Sequence, residues 1–162
     1  MRQIIGYPTL VNEKAARTVA AIVAMACGAV LVTGWYWLLV PITYGFVARV
    51  LAGPRLSPLA ALAQRVAPRY LGTPKLVHGP PKRFAQGIGA VVTLTAAVAV
   101  LGFGLVGLAN ALLGMMVLFT VLEAATAFCV GCRIFAALMR VGLVPQAACE
   151  ACNDITVLRQ VA

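Results

Sequence analysis

Residues 84–104 read FAQGIGAVVTLTAAVAVLGFG, a run without any charged side chain, and this run decides the fold class. A helix needs about 20 apolar residues to cross the hydrocarbon core of a bilayer. Lys82 and Arg83 stand directly before the run, and basic residues beside an apolar run are typical of the cytoplasmic side of a membrane. The stretch therefore predicts a transmembrane helix that enters the bilayer near Phe84.

Three further apolar runs cover about residues 16–33, 36–52 and 111–133. The whole chain of 162 residues is 62% apolar and only 10% charged, whereas a soluble domain carries roughly 25% charged residues. We therefore predict an all-α membrane protein with a four-helix transmembrane domain over residues 1–140. Its surroundings would be the lipid bilayer.

Small residues recur every four positions in two of these runs. The first series is Ala16, Ala20, Ala24 and Gly28, and the second is Ala85, Gly89, Thr93 and Ala97. Small side chains let transmembrane helices approach each other closely. The pattern predicts that the first and third spans could pack through these two faces.

The segment 53–83 is a basic loop between the second and third spans. Its basic residues, in the loop or at its edges, are Arg49, Arg55, Arg65, Arg69, Lys75, Lys82 and Arg83, and it contains no acidic residue. Such a loop is expected on the cytoplasmic side. With four spans, both termini are then cytoplasmic, and residues 141–162 form a cytoplasmic tail. Within the loop, Ser57-Pro58 is a typical helix start and predicts a short interfacial amphipathic helix.

The net charge of +9 has the same origin, because the basic residues flank the apolar runs. Nucleic-acid binding is not expected, since aromatic side chains that stack on bases are missing from the loop apart from Tyr70.

Two cysteine pairs are the strongest chemical signal. Cys129 and Cys132 lie three apart near the end of the fourth run, and Cys149 and Cys152 repeat the spacing in the tail. The pattern C-x2-C-x16-C-x2-C falls within the spacing of a four-thiolate zinc site, and an iron–sulfur cluster would need the same four ligands.

A redox-active dithiol is the competing interpretation of Cys129 and Cys132. It requires a lowered thiol pKa, and Arg133 is a candidate to stabilise the thiolate. If the fourth run is one helix, the pair lies near its C-terminal end, where the helix dipole disfavours a thiolate. Inert packing of the thiols is the third possibility, and the spacing alone leaves all three open.

Other polar residues near the spans give weaker signals. Glu123 is the only acidic residue within the four predicted spans. An intramembrane carboxylate marks either a buried polar pair or a functional group. We expect either a partner among Gln86, Thr93 and Thr95 of the third span, or a neutral carboxyl group held by hydrogen bonds. Lys82 and Arg83 are candidates to anchor at lipid headgroups, or to bind an anion at a helix N-terminus.

Four segments carry a resemblance to a known family: VNEKAARTVA (11–20), GPRLSPLA (53–60), GPPKRFAQGIG (79–89) and LEAATAFCVGC (122–132). They resemble a bacterial membrane family called domain of unknown function 4395. The resemblance implies a four-helix protein of the bacterial inner membrane. Members are often encoded near rhodanese-type sulfurtransferases and thioredoxin-like proteins, which implies thiol or sulfur chemistry and a soluble partner of one of these kinds.

Three functions follow as hypotheses. The first is a small inner-membrane protein that handles thiols or reduced sulfur at its cytoplasmic face through the paired cysteines. The alternative is a non-catalytic scaffold or accessory subunit of an oligomer or larger membrane complex, with a structural zinc or iron–sulfur site. The third is a small-solute transporter that uses Glu123. The sequence contains no catalytic triad, P-loop, dinucleotide fingerprint or zinc-protease motif, and it leaves open whether the protein is an enzyme.

Overall fold

A computed structural model describes residues 10–52, 57, 60–63, 73 and 76–143. Its strands are β1 (Leu10–Asn12) and β2 (Leu76–His78). Its main helices are α1 (Glu13–Thr33), α2 (Leu39–Ala52), α3 (Gly79–Ala97), α4 (Val106–Thr126) and α5 (Val130–Arg140). A 3-10 turn, Tyr36–Leu38, leads into α2, and α3 continues as a π-helical turn, Val98–Gly102. The predicted all-α class is confirmed.

Three of these helices are long and apolar enough to cross a membrane: α1, α3 with its extension, and α4. The segment Tyr36–Ala52 is a shorter apolar helix. Large apolar side chains such as Val32, Trp37 and Phe103 point outward, as expected where the surrounding solvent is lipid rather than water. The chain is therefore a multi-pass membrane protein.

The helices pack as two principal pairs. α1 lies against α4, α2 lies against α3, and α3 also contacts α4 and α5. The small-residue faces of the first and third spans face each other, but the two helices are not among the closely packed pairs. A β-carbon at Gly89 of α3 would lie only 2.3 Å from the ring of Phe46, so an α2 side chain occupies that face. Ala20 and Gly89 instead line a cavity between their helices.

Arginine side chains join helix ends across the bundle. The Arg17 guanidinium in α1 donates to the carbonyl oxygens of Ala124, at 2.8 and 2.9 Å, and Ala125, at 3.0 Å. These carbonyls belong to the last turn of α4, where the intrahelical donors run out and the helix dipole favours a cation. Arg83 of α3 likewise donates to the carbonyl oxygen of Val50 in α2 at 3.0 Å.

A short antiparallel ladder, which the sequence did not predict, aligns two helix starts. β1 pairs with β2, with Asn12 opposite Leu76. Because α1 begins directly after β1 and α3 directly after β2, the ladder holds the first turns of both helices side by side. These first turns carry Glu13 and Lys82, which both line the groove described below.

The predicted helix start at Ser57 is confirmed where the structure describes it. The Ala60 N–H donates to Ser57 Oγ at 3.4 Å and the Ala61 N–H donates to the Ser57 carbonyl oxygen at 2.9 Å. Residues 60–63 are helical. The rest of the predicted interfacial helix lies outside the described residues.

Candidate dithiol site

The fourth apolar run is broken just before the first cysteine pair. α4 ends at Thr126, and Ala127 adopts a left-handed conformation with φ 60° while its N–H donates to the Glu123 carbonyl oxygen at 3.0 Å. The Phe128 N–H then donates to Thr126 Oγ1 at 3.3 Å. A new helix, α5, begins at Val130. The prediction that residues 111–133 form one helix, with the cysteines near its C-terminal end, is therefore wrong.

Cys129 is instead the N-cap residue of α5. Its backbone is extended (φ −91°, ψ 108°), and its carbonyl oxygen accepts the first helical hydrogen bond, from the Arg133 N–H at 3.2 Å. Cys132 lies in the first turn. Unpaired N–H groups and the helix dipole give a helix N-terminus a positive potential. This potential favours a thiolate. The helix dipole therefore acts on the cysteine pair in the direction opposite to the one predicted from the sequence.

Both cysteines are free thiols, Cys129 buried and Cys132 half-buried. A hydrogen bond from the Cys132 side chain is the largest influence on Cys129 and lowers its pKa to about 7 from the ordinary 9.0. The charge of Lys82 lowers this pKa too, against opposing effects of burial and of Glu123. The same hydrogen bond and burial raise the pKa of Cys132. The pair thus consists of one easily ionised thiol and one that holds its proton.

The packing of α5 on α3 fixes the position of the pair. Gly131, between the two cysteines, lies directly against Ala85. One turn further on, the ring of Phe135 lies 5.5 Å from the ring of Phe84, measured between centroids. These contacts hold the N-terminus of α5 against the first turns of α3, which carry Lys82.

Lys82 forms a buried ion pair with Glu123. The Lys82 ammonium donates to Glu123 Oε1 at 2.5 Å, and the side chains are only 8% and 14% exposed. The expected partner residues of Glu123 were wrong, although the partner does lie on α3. Thr93 and Thr95 donate to carbonyl oxygens of their own helix, and Gln86 accepts from Arg49 Nε at 2.8 Å.

Cys129 borders two spaces. On one side is an open groove whose walls include Glu13, Lys82, Cys132 and Arg133. On the other side is a cavity of about 90 Å³ inside the bundle, whose polar wall residues include Arg49, Gln86 and Glu123. Both cysteines therefore line the wall of the groove, Cys129 as a buried residue and Cys132 as a half-buried one.

The remaining predicted site residues lie as follows. The Arg133 guanidinium is 5.1 Å from the centre of the Phe128 ring and lines the groove, and its role as thiolate stabiliser stays a prediction. Lys82 was expected at the headgroups, but its ammonium is inside the protein. Arg83 contacts the end of α2, and its role toward an anion or headgroup also stays a prediction.

The four-cysteine metal hypothesis involves residues beyond this site. Cys149 and Cys152 lie outside the described residues. Within the part of the chain that the structure describes, no three His, Cys, Asp or Glu side chains gather closely enough to hold a metal ion. The four-cysteine metal site therefore stays a prediction.

Sequence reasoning did not predict that Lys82 and Gly131 lie at this site. A lysine next to an apolar run has the same sequence signature whether it faces headgroups or a buried carboxylate. A signal for Gly131 did exist, because a glycine between two cysteines of a CxxC motif is compatible with a close helix contact.

Fold and site together define a multi-pass helical membrane protein with a dithiol at a helix N-terminus. Residues 11–140 match the family model described as Domain of unknown function (DUF4395), and the chain belongs to that family. The match confirms the resemblance seen in the sequence. Neither the comparison with curated proteins nor that with solved structures finds a match.

Proposed function

We propose that the protein is a membrane thiol–disulfide exchange protein in which Cys129 and Cys132 cycle between dithiol and disulfide. The observation that carries the proposal is the position of Cys129 as the N-cap of α5, with Cys132 in the first turn. The thiolate is the reactive form of a cysteine in thiol exchange. A helix N-terminus stabilises this form. The lowered pKa of Cys129 supports its assignment as the attacking thiol.

The exchange proceeds in two steps. The Cys129 thiolate attacks one sulfur of a substrate disulfide, its S–S bond breaks, and the departing thiolate takes a proton from water. Cys132 then loses its proton to water and attacks Cys129 Sγ. This attack breaks the mixed disulfide, forms the Cys129–Cys132 disulfide and releases the second substrate sulfur as a thiolate, which takes a proton from water. Two electrons pass from the dithiol to the substrate, and the reverse sequence reduces the protein.

The membrane placement of the site is part of the proposal. α1, the segment Tyr36–Ala52, α3 and α4 are taken as four spans in a bacterial inner membrane, with both termini cytoplasmic. The basic residues of the 53–83 loop support this orientation. Because α3 begins and α4 ends on the loop side, the groove opens to the cytoplasm. A soluble thioredoxin-like or rhodanese-like protein with an exposed cysteine is then the partner.

A redox titration tests this function. Purified protein with Cys149 and Cys152 changed to serine is equilibrated anaerobically with mixtures of reduced and oxidised glutathione. Free thiols are then alkylated, and the disulfide-linked Cys129–Cys132 peptide is quantified by mass spectrometry. We expect one reversible two-electron transition, which the control Cys132→Ser abolishes.

The competing function has a distinct signature. A dithiol that stays reduced at every glutathione ratio would overturn the exchange proposal. Elemental analysis of the unchanged chain supplies the second readout. About one zinc ion per chain, or a bound iron–sulfur cluster, lost on changing either cysteine pair to serine, would instead support the metal-stabilised scaffold.

A further inference from the structure

Lys82 and Glu123 form a buried ion pair beside the dithiol. A buried ion pair is weak support for stability, because the cost of removing both charges from water offsets their attraction. An apolar pair of similar size would often stabilise a bundle as well or better. Ionisable groups inside a membrane protein are therefore typically functional. Lys82 and Glu123 are such groups, and both are largely buried.

The pair lies between the two spaces that Cys129 borders. Lys82 lines the groove together with Cys129 and Cys132, and Glu123 lines the inner cavity together with Cys129. The contact between Gly131 and Ala85 presses the N-terminus of α5 onto α3 one turn beyond Lys82. The thiols thus lie near one positive and one negative charge that are held in fixed positions.

We propose that Lys82 is the counter-ion that stabilises the reduced form of the dithiol, and that Glu123 is the opposing charge that limits this stabilisation. This assignment rests on the proposed exchange function and explains how the equilibrium between dithiol and disulfide is set. In the oxidised protein, the Lys82 ammonium is paired with the Glu123 carboxylate. In the reduced protein, the same ammonium also faces the Cys129 thiolate.

The electrostatic effects on Cys129 agree with this arrangement. The hydrogen bond from Cys132 has the largest effect on the pKa of Cys129, but Lys82 and Glu123 act in opposite directions: Lys82 lowers this pKa and Glu123 raises it. Other charged groups face the same spaces, namely Glu13 from α1, Arg49 from α2 and Arg133 from α5. Among the described residues, Lys82 is the one whose ion pair with Glu123 the structure records.

The test compares the dithiol–disulfide equilibrium of variants against glutathione. Lys82→Met removes the counter-ion, so the disulfide form should gain about tenfold in the equilibrium constant, which lowers the reduction potential by about 30 mV. Glu123→Gln removes the negative charge, so the potential should shift in the opposite direction. Arg140→Met, which removes an exposed cation of α5, is the matched control and should leave the potential unchanged.

A double variant covers the case in which Lys82→Met does not fold. Lys82→Met/Glu123→Gln leaves no unpaired charge, and its potential is compared with that of Glu123→Gln alone. The double variant should have the lower potential, because only Lys82 differs. Shifts of the same sign in both single variants, or equal potentials in Glu123→Gln and the double variant, would overturn the assignment. An unchanged protein that fails to equilibrate with glutathione would instead overturn the exchange function itself.

Discussion

Gly131 packs directly against Ala85, so closely that a β-carbon at position 131 would lie 2.6 Å from Ala85 Cβ and 2.7 Å from Ala85 Cα. Gly131 stands between the two cysteines, and Ala85 lies one turn after Lys82. The distance between α5 and α3 at this contact therefore determines how near the thiols lie to the buried ion pair.

Gly131→Ala should push α5 away from α3. The backbone of Ala85 cannot yield as a flexible side chain would, so we expect a loss of about 1–3 kcal/mol in stability. The ratio of reduced to oxidised glutathione at which half of the dithiol is oxidised should also change. Thermal unfolding in detergent and the glutathione titration measure both effects. Gly114→Ala in α4 is the control, because a β-carbon there meets nothing within 4 Å. Equal behaviour of the two variants would contradict the close contact.

The alkylation of Cys129 should depend on pH with a midpoint near 7. Its pKa is lowered to about 7, mainly by the hydrogen bond from Cys132, and iodoacetamide reacts with the thiolate. The rate should therefore rise as the pH increases through 7 and level off above it. Cys132→Ala removes the hydrogen bond and should move the midpoint to higher pH. Rates followed by mass spectrometry, with Cys149 and Cys152 changed to serine, check this. An unmoved midpoint would contradict the role of Cys132.

Arg17→Met should destabilise the bundle, although none of the hydrogen bonds that it removes involves the dithiol. The variant loses the hydrogen bonds from the guanidinium to the carbonyl oxygens of Ala124 and Ala125. Hydrogen bonds from a charged donor contribute about 1.5–3 kcal/mol, and we expect a loss of this order. Unfolding of purified protein in detergent measures it, with the exposed Arg140→Met as the control. A stability equal to that of the control would show that the capping contact is not important.

The Lys82–Glu123 pair should show strong coupling in stability. Lys82→Met leaves a buried carboxylate without its partner, which typically costs about 3–5 kcal/mol. Lys82→Met/Glu123→Gln removes both charges and should recover most of that loss. The comparison of the four unfolding free energies is a double-mutant cycle. If the losses in unfolding free energy of the two single variants add up to the loss of the double variant, the ion pair between Lys82 and Glu123 would be contradicted.

α1 and α3 were predictable because each contains an apolar run of the length that a bilayer requires. Residues 16–33 and 84–104 correspond closely to α1 and to α3 with its extension. Ser57 was recognised as a helix start because its side chain is a typical N-cap. These features depend on local sequence alone.

The break before Cys129 was not predictable in the same way. Ala127 takes the left-handed conformation that glycine usually occupies at a helix end, so the sequence contains no glycine or proline to mark the break. The Lys82–Glu123 pair joins residues 41 positions apart. A single helix through residues 111–133 would turn Glu123 away from both cysteines, and the end of α4 at Thr126 removes that geometry.

The most direct test of the central claim is to trap the attacking thiol. Cys132→Ser and Cys129→Ser variants, each with Cys149 and Cys152 changed to serine, are incubated with oxidised glutathione at pH 7. Mass spectrometry then measures the rate at which each remaining cysteine gains glutathione. If Cys129 is the attacking thiol at the N-terminus of α5, Cys132→Ser should form the mixed disulfide at Cys129 much faster than Cys129→Ser does at Cys132. A faster reaction at Cys132, or no mixed disulfide in either variant, would contradict the account.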